Sequence, residues 1–341
     1  MKKIATVDAV GHIICYDITR IIKDVVKDVA FKKGHTVREE DIPVLLSIGK
    51  EHLYVWEKNE GMLHENEAAE ILYDLCKNDN IKPSEVKEGK IELIADIDGL
   101  FRVDVDRLDK INELDEIMIA TRHTNYPVKK GDKLAGTRVI PLVVEEAKLK
   151  RAQEIIENNP LMELLPFREM KAGIVTTGSE VYHGRIKDTF TPVVIDKLKQ
   201  YNITVCGHKI VNDESKMIVD AILELKRNGS DFIVCTGGMS VDPDDLTPSA
   251  VRDSGAKIIS YGAPVLPGAM FLIGYFEDGT PIVGLPGCVM YAKATIFDLV
   301  LPRIAAGVKI SKKDIARMGH GGLCLSCKVC IYPNCGFGKG V

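Results

Sequence analysis

Three carboxylates near the middle of the chain have the residue type and spacing best suited to chemistry. Asp242, Asp244 and Asp245 closely follow a short apolar run at 231–235 and the pair Gly237–Gly238. Glycine allows positive φ and a close approach of a ligand to the backbone, and carboxylate oxygens suit Mg²⁺. The pattern indicates a phosphorylated substrate handled through a divalent cation. A turn that caps a following helix explains the same residues, and this stretch alone does not decide between the two.

Other predicted strands are also followed by polar, glycine-containing loops. Glu180, Asp213 and Asp245 supply hard oxygen ligands from three of these loops, and Arg185 and Lys187 supply positive charge. The carboxyl ends of parallel strands meet at one edge of a sheet, where α/β proteins bind ligands. Glycine loops that open helices bind phosphate through free N–H groups. Together the loops predict a site for a phosphorylated small molecule, although they carry neither a Rossmann fingerprint nor a P-loop.

The elements that must position these loops alternate between strand and helix after residue 166. That alternation predicts an α/β fold with a mostly parallel sheet and helices on both faces. Individual predictions include a helix at 18–31, on the spacing of its apolar residues, and a final helix at 289–306. The predicted domains are an α+β N-terminal domain at 1–150, a helical linker at 151–165, the α/β domain at 166–308 and a cysteine-rich tail at 309–341.

The net charge, the length of the apolar runs and the number of cysteines exclude several classes of partner and location. The chain has 341 residues, a formal net charge of -4 and nine cysteines. The charge gives no reason to expect nucleic acid or an anionic membrane as a partner. No apolar run approaches the length of a membrane span, and the N-terminus meets Asp8 and His12 too early for a signal peptide. An odd number of cysteines, five of them scattered, is not a disulfide framework, so we expect a reducing cytoplasm.

Three motifs resemble a known family in their order and spacing. They are Thr177-Gly178-Ser179-Glu180, Gly237-Gly238-Met239-Ser240-Val241 with Asp245, and Leu285-Pro286-Gly287. The chain over about 171–307 thus resembles the molybdopterin-binding domain of the molybdopterin molybdenumtransferases (MoeA and gephyrin E-domain type) and the related adenylyltransferases. The large N-terminal domain makes the chain more similar to the molybdenumtransferase branch. The resemblance implies a three-layer α/β/α fold.

The resemblance also implies a reaction. Adenylylated molybdopterin and molybdate bind, Mg²⁺ assists the release of AMP, and the dithiolene takes up molybdenum. By position, the resemblance implies that Glu180, Asp213 and Asp245 are the catalytic residues and that Gly237, Gly238, Ser240, Pro286 and Gly287 bind the cofactor. We also expect Thr177, Gly178, Ser179 and Asp188 to bind the cofactor, and we expect Asp242 and Asp245 of the acidic cluster to be the ligands of the cation. Family members are homodimers, so we expect a homodimer here.

The chain departs from the family pattern at several positions. Ser179 stands where the family has Asp, Asp242 where it has Gly, and Cys288 where it has Asn. The first domain has no counterpart of the segment that reaches the site across the dimer in the family. These departures favour pterin binding over molybdate insertion. The alternative function is therefore a carrier or chaperone that delivers the cofactor to a molybdenum hydroxylase.

Four cysteines are clustered near the end of the chain. Cys324, Cys327, Cys330 and Cys335 are separated by two, two and four residues. Such spacings allow the four thiols to bind one centre, either a zinc ion or an iron–sulfur cluster. The alternative interpretation is a disordered tail whose thiols bind no metal. We expect the glycines at 319–322 to form a hinge and the tail to act as a separate docking device, for example for an apo-molybdoenzyme.

Overall fold

The computed structural model describes residues 2–22, 26–55, 61–240, 242 and 245–340. The chain divides into two compact units. The first comprises Met1–Asp96, Val103–Arg122 and Lys130–Glu163, and the second comprises Ile97–Arg102, His123–Lys129 and Leu164–Val341.

Short strands, four α-helices and a 3₁₀ turn at Thr6–Asp8 lie in the described chain before residue 167. The strands are β1 (Lys2–Ala5), β2 (Ile18–Ile22), β3 (Val26–Phe31), β4 (His52–Val55), β5 (Met62–His64), β6 (Ile81–Pro83), β7 (Lys90–Ala95), β8 (Gly99–Val103), β9 (Ile117–Thr121), β10 (Tyr126–Val128), β11 (Lys133–Val139), β12 (Val143–Glu145) and β13 (Met162–Pro166). The helices are α1 (Asp41–Ser47), α2 (Glu65–Cys76), α3 (Val105–Asn112) and α4 (Glu146–Ile156). The strands form the sheets β1-β4, β2-β3, β12-β5, β6-β7-β11-β9 and β10-β8-β13.

The predicted helix at 18–31 is wrong. Strands β2 and β3 occupy this stretch and pair antiparallel, with Thr19 opposite Val29 and Ile18 opposite Phe31. The apolar residues are spaced in a way that fits either a helix or a strand. Several of them are β-branched, and such side chains lose χ1 freedom in a helix but pack well on a pleated sheet.

A six-stranded sheet forms the centre of the second unit. Its strands are β14 (Met170–Thr177), β15 (Ile203–Val211), β16 (Phe232–Thr236), β17 (Lys257–Tyr261), β18 (Leu272–Tyr275) and β19 (Pro281–Leu285). The strand order is β15-β14-β16-β19-β18-β17. β15, β14, β16 and β19 run parallel, whereas β18 is antiparallel to both β19 and β17. The unit's helices are α5 (Ser179–Tyr182), α6 (Phe190–Lys199), α7 (Ser215–Arg227), α8 (Thr247–Asp253), α9 (Ile296–Ala305) and α10 (Lys312–Arg317).

The two faces of this sheet are covered by different helices. On β16, Phe232 and Val234 belong to a core shared with α6 and α9. The alternate residues Ile233 and Cys235 belong to a second core shared with α7 and α8. Because successive strand residues point to opposite faces, these two cores lie on opposite sides of the sheet. The unit therefore has the predicted three-layer α/β/α architecture.

The last long helix starts later than the sequence predicted. Gly287–Met290 forms a single 3₁₀ turn after β19, and α9 begins only at Ile296. Thr295 and Asp298 form a capping box at the start of α9. The Thr295 side chain accepts a hydrogen bond from the backbone amide of Asp298, and the Asp298 side chain accepts one from the backbone amide of Thr295. Such a box satisfies N–H groups that would otherwise lack partners and so fixes the helix start.

The tail after α10 is docked on the α/β core, so the predicted glycine hinge is wrong. Phe337 is only 5% exposed and belongs to the same core as α9. The Tyr332 hydroxyl donates a hydrogen bond of 2.9 Å to the carbonyl of Asp298. The amide of Gly338 donates to the carbonyl of Gly321 at 2.9 Å. We call residues 321–338 the cysteine segment.

None of the helices in the described part of the chain is both long enough and apolar enough to cross a membrane.

Candidate functional site

The order of the strands creates a crevice beside β14. The chain passes from β14 to β15 on one side and then to β16 on the other. In parallel α/β sheets, loops that leave in opposite directions from neighbouring strands open a crevice at their carboxyl ends, and ligands bind there. Here those loops begin at Gly178, after β14, and at Gly237, after β16. The structure therefore brings these two sequence-predicted glycine loops to neighbouring strand ends.

Gly237 and Gly238 both have left-handed backbone conformations, with φ of +86° and +55°. A Cβ atom on Gly237 would lie 2.2 Å from the carbonyl oxygen of Thr177, so only glycine fits between the two loops. A Cβ atom on Gly238 would lie 2.8 Å from the hydroxyl of Thr247. Turns built from such conformations expose successive N–H groups, which bind anions. The Thr247 hydroxyl holds the turn by donating to the Gly237 carbonyl at 2.8 Å.

Asp213 fixes the loop that follows β14. Its carboxylate accepts a hydrogen bond of 2.7 Å from the amide of Ser179. Ser179 begins the short helix α5, and Glu180 in the same turn is exposed. The carbonyl of Glu180 accepts hydrogen bonds from the amides of Arg185 and Ile186, at 2.8 and 3.2 Å. Asp213 thus acts on loop geometry, and the Glu180 side chain faces solvent.

Asp242 and Asp245 lie next to each other in a turn. The amide of Asp242 donates to the Asp245 carboxylate at 3.3 Å, and the amide of Asp245 donates to the Asp242 carbonyl at 3.0 Å. Helix α8 begins at Thr247 without a side-chain cap, so the capping interpretation of these aspartates is not the observed one. Asp244 lies outside the described residues.

Tyr261 supports the loop after β16 in a way that sequence reasoning missed. Its hydroxyl lies 3.1 Å from the carbonyl of Met239 and 3.2 Å from that of Ser240. Burial, followed by the negative charge of Asp245, raises the pKa of the Tyr261 hydroxyl, so it remains a donor. Tyr261 ends β17 at the far edge of the sheet, and no local sequence signal links it to Ser240.

Sequence reasoning also missed a polar cluster below the crevice. The Thr176 hydroxyl lies 3.0 Å from that of Thr191 and 2.9 Å from His208 Nε2. The Thr236 hydroxyl donates to that of Thr176 at 3.2 Å. Thr176 and Thr236 are buried at the ends of β14 and β16. These contacts connect both strand ends to α6 and β15. The sequence carried one signal for the cluster, since Thr176 is a polar residue in an apolar run.

Asp188, predicted to bind the cofactor, joins this cluster. Its Oδ1 accepts hydrogen bonds from the amides of Phe190 and Thr191, at 2.9 and 3.0 Å. Its Oδ2 is buried, lies 3.6 Å from His208 Nε2 and has no hydrogen-bond partner among the described residues. Burial raises the pKa of Asp188, but the hydrogen bonds from Thr191 and Phe190 and the nearby His208 outweigh it and lower the pKa below 3.8. Burial also lowers the pKa of His208, against the opposing effect of Asp188.

The loop after β19 borders the same sheet edge. Pro286 is buried and Gly287 is exposed. A Cβ atom on Gly287 would meet no other atom within 4 Å, so this glycine is not required by packing. The Thr189 hydroxyl lies 3.3 Å from the sulfur of Met290 and links this loop to the start of α6.

The donor set suits only one kind of Mg²⁺ site. Among the residues that the structure describes, no group of three or more His, Cys, Asp or Glu is placed to hold a metal ion. The described residues alone therefore do not form a site made entirely of protein carboxylates. An ion bound by one or two carboxylates, such as those of Asp242 and Asp245, and by the phosphates of a substrate does fit, because Mg²⁺ commonly binds in this way.

A cavity of about 390 Å³ lies in the second unit, but it is lined by the cysteine segment and shares no residue with the loops after β14 and β16. Phosphate binding by N–H groups and glycine turns does not require a large cavity, so the strand ends remain the candidate site.

Comparisons with known proteins find similarity in two parts of the chain. Residues 173–306 match the family model of a probable molybdopterin binding domain. Residues 3–57 match a family model described only as a domain of unknown function. A protein of Bacillus thuringiensis (strain Al Hakam), named as competence-damage inducible, is 32% identical over 97 residues, which are 28% of this chain and 23% of that protein. The chain thus spans about a quarter of the length of the curated relatives it matches.

Solved structures of molybdenum- and tungsten-cofactor proteins are also similar to part of the chain. The molybdopterin biosynthesis enzyme MoaB of Thermus thermophilus is 24% identical, and the match covers 40% of this chain and 97% of that one with a TM-score of 0.35. The tungsten cofactor synthesizing protein MoaB of Pyrococcus furiosus is 19% identical, covering 40% and 88%, with a TM-score of 0.32. CinA of Thermoplasma acidophilum, of unknown function, is 19% identical, covering 35% and 88%, with a TM-score of 0.30.

The match to a probable molybdopterin binding domain thus lies within the second unit, over residues 173–306. The narrower assignment to the molybdenumtransferase branch stays a prediction.

Proposed function

We propose that the crevice between the loops after β14 and β16 binds molybdopterin and that the protein acts in molybdenum cofactor biosynthesis. The observation that carries the proposal is the contact of Gly237 with the carbonyl of Thr177, where a Cβ atom would lie only 2.2 Å away. This close approach brings the two glycine loops next to each other at the strand ends, where N–H groups suit a terminal phosphate. The match to a molybdopterin-binding domain over residues 173–306 supports the choice of ligand.

Asp188 supplies a second recognition element in this proposal. A pterin ring carries N–H donors as well as acceptors, whereas a phosphate monoester is mostly a dianion at neutral pH and then carries only acceptors. The lowered pKa of Asp188 keeps its carboxylate ionised, and its buried Oδ2 has no donor among the described residues. A buried acceptor without a partner costs about 1–3 kcal/mol, and a donor from the bound pterin would remove that cost.

The specific activity that we propose is that of a molybdopterin molybdenumtransferase. In this reaction adenylylated molybdopterin releases AMP as its dithiolene takes up molybdenum from molybdate. Mg²⁺, bound to Asp245 and Asp242 and to the substrate's phosphates, would neutralise charge that develops on the phosphate oxygens. Asp213 would hold the Ser179 amide in place, and Glu180 would face the bound pyrophosphate from the exposed side of the crevice.

The release of AMP tests this activity. Purified protein is incubated with adenylylated molybdopterin, molybdate and Mg²⁺, and AMP is measured. We expect Asp245→Asn to weaken the dependence on Mg²⁺ without altering the fold, because it removes one charge with little change in shape. Asp253 is an exposed residue at the end of α8, and Asp253→Asn is the matched control. Equal turnover and equal Mg²⁺ dependence in Asp245→Asn and wild type would show that Asp245 only holds the turn.

A second candidate function is that of a carrier that binds molybdopterin and delivers it to an apo-molybdoenzyme, such as a molybdenum hydroxylase. It is favoured by the hydrogen bonds that engage Asp213 and Asp245 with main-chain amides, because such carboxylates shape loops without any catalytic role. Tight pterin binding without AMP release would support the carrier. Capture of a molybdoenzyme by wild type, but not by Cys327→Ser, would link that delivery to the cysteine segment.

The expected homodimer and the cytoplasmic location belong to the same proposal. Light scattering at micromolar concentration tests the first, and a monomer would contradict it.

A further inference from the structure

The cysteine segment is a loop closed at both ends on the α/β core. Leu323 forms a parallel bridge with Leu266, and the amide of Cys324 donates to the Leu266 carbonyl at 2.8 Å. At the other end, Phe337 is buried in the core. Apart from the bridge at Leu323, residues 321–338 contain neither helix nor strand. A long loop without secondary structure of its own is uncommon in a compact unit and is usually functional.

The folded segment does not form an apolar core of its own. Leu323, Leu325, Val329 and Ile331 remain exposed, by 56% to 80%. The segment is anchored by Tyr332 and Phe337, whose rings lie 6.1 Å apart. Cys324 and Cys335 also pack against the core, whereas apolar burial does not account for the path of the exposed stretch between them.

All four clustered cysteines line one cavity. This cavity, of about 390 Å³, is lined by Cys324, Cys327, Cys330 and Cys335 together with Pro267, Ala294, Leu323, Leu325, Ile331 and Phe337. All four are free thiols, with Cys324 and Cys335 half-buried and Cys327 and Cys330 exposed. Four thiols that are dispersed over twelve residues and yet face one largely apolar cavity indicate a shared ligand.

The size of the shared cavity favours a cluster over a single ion. A tetrahedral zinc site needs sulfurs about 2.3 Å from one ion and hence about 3.8 Å from one another. In a four-iron cluster each thiolate binds a different iron, so the sulfurs stand further apart around a larger body. The four cysteines line a cavity of about 390 Å³, which offers room for such a body.

We propose that the cysteine segment binds a four-iron, four-sulfide cluster, with Cys324, Cys327, Cys330 and Cys335 each bound to one iron. Each thiol loses its proton to solvent as its sulfur–iron bond forms. Two ferrous ions, two ferric ions and four sulfides give a core of charge 2+ without net electron transfer, and four thiolates make the whole 2−. Lys293, whose side chain is exposed and which also lines the cavity, supplies opposing positive charge. Leu323, Ile331 and Phe337 contribute apolar surface to the lining of the cavity.

Metal and sulfide analysis of the full chain tests the proposal. The protein is purified anaerobically, or reconstituted with equal amounts of ferrous and ferric ions and with sulfide, and then desalted. We expect about four irons and four acid-labile sulfides per chain, a broad absorption in the visible range, and a paramagnetic signal on one-electron reduction with dithionite. About one zinc per chain without sulfide, or no bound metal after reconstitution, would overturn the proposal.

Single substitutions test the four ligands. Cys327→Ser and Cys330→Ser change exposed residues, so we expect both variants to fold as the wild type does, with an unchanged circular dichroism spectrum, and to lose most of the iron and the visible absorption. Cys206→Ser, an exposed cysteine outside the segment, is the control and should keep the full iron content. Full iron in Cys330→Ser, or equal loss in Cys206→Ser, would show that the segment is not the ligand set.

Discussion

The amide of Ser179 donates a hydrogen bond of 2.7 Å to the carboxylate of Asp213, across 34 residues of sequence. The contact joins the loop after β14 to the loop after β15. It fixes the turn at which α5 begins, directly after Gly178. A carboxylate that sequence reasoning treated as a catalytic group is thus also a structural support of the crevice.

This contact predicts a graded effect of substitutions at Asp213. Asp213→Ala removes the acceptor and should lower the free energy of unfolding by about 1.5 kcal/mol, the value of a hydrogen bond to a charged group. Asp213→Asn keeps an acceptor and should lose less. Urea unfolding of the three proteins measures the difference. Equal stability of Asp213→Ala and wild type would contradict the supporting role.

The close approach of Gly237 to the Thr177 carbonyl predicts that an alanine substitution destabilises the protein more at Gly237 than at another glycine of the same conformation. Gly237→Ala and Gly279→Ala both place a Cβ at positive φ, at +86° and +88°, and should each cost about 1–2 kcal/mol for that reason. Only at Gly237 does the new Cβ also meet a backbone oxygen, whereas at Gly279 it meets nothing within 4 Å. Thermal unfolding should therefore show Gly237→Ala to be clearly the less stable variant. Equal melting temperatures would mean that the loops separate without cost.

The cluster around His208 predicts how stability depends on pH. Burial lowers the pKa of folded His208 below its ordinary value of 6.5. The unfolded chain therefore binds a proton more readily than the folded protein, and stability falls as pH falls from 6.5 toward the folded pKa. Asp188, whose folded pKa is below 3.8, adds a further loss only at more acid pH.

His208→Gln removes the first of these two losses but keeps a hydrogen-bonding side chain beside Thr176. Denaturant unfolding over a series of pH values should give a flatter profile below pH 6.5 for this variant than for wild type. Parallel profiles would show that His208 does not titrate differently in the folded and unfolded states.

The docking of the tail predicts that its end contributes to the stability of the α/β core. Phe337→Ala should lower the free energy of unfolding by about 3–5 kcal/mol, because it opens a cavity against α9. Leu325→Ala, at a residue that is 80% exposed, is the control and should change stability little. If the melting temperature of Phe337→Ala lay within about one degree of that of wild type, the tail would not contribute to the stability of the α/β core.

Much of the fold could be predicted because its signals are local. Apolar runs such as 232–236, each followed by glycine and then by a helix, define the α/β alternation without any tertiary information. The stretch at 18–31 could not be decided in this way, because spacing alone fits both a helix and the observed pairing of β2 with β3.

The candidate site was predictable only in part, for the same reason. The glycine loops at Gly178 and Gly237 carry a local signal, and the topology of a parallel sheet brings them together. The contacts of Tyr261 with Ser240 and of His208 with Thr176 depend on strand order, which one sequence does not show. The burial of Phe337 likewise depends on long-range packing against α9, and the glycines before it suggested a hinge that the structure does not contain.

Anaerobic titration of the purified chain with molybdopterin tests the central claim most directly, since it measures binding at the crevice without requiring catalysis. We expect saturation at about one pterin per chain, and a large loss of affinity in Gly237→Ala but not in Gly279→Ala. No binding by the wild-type chain, or equal binding by both glycine variants, would contradict it.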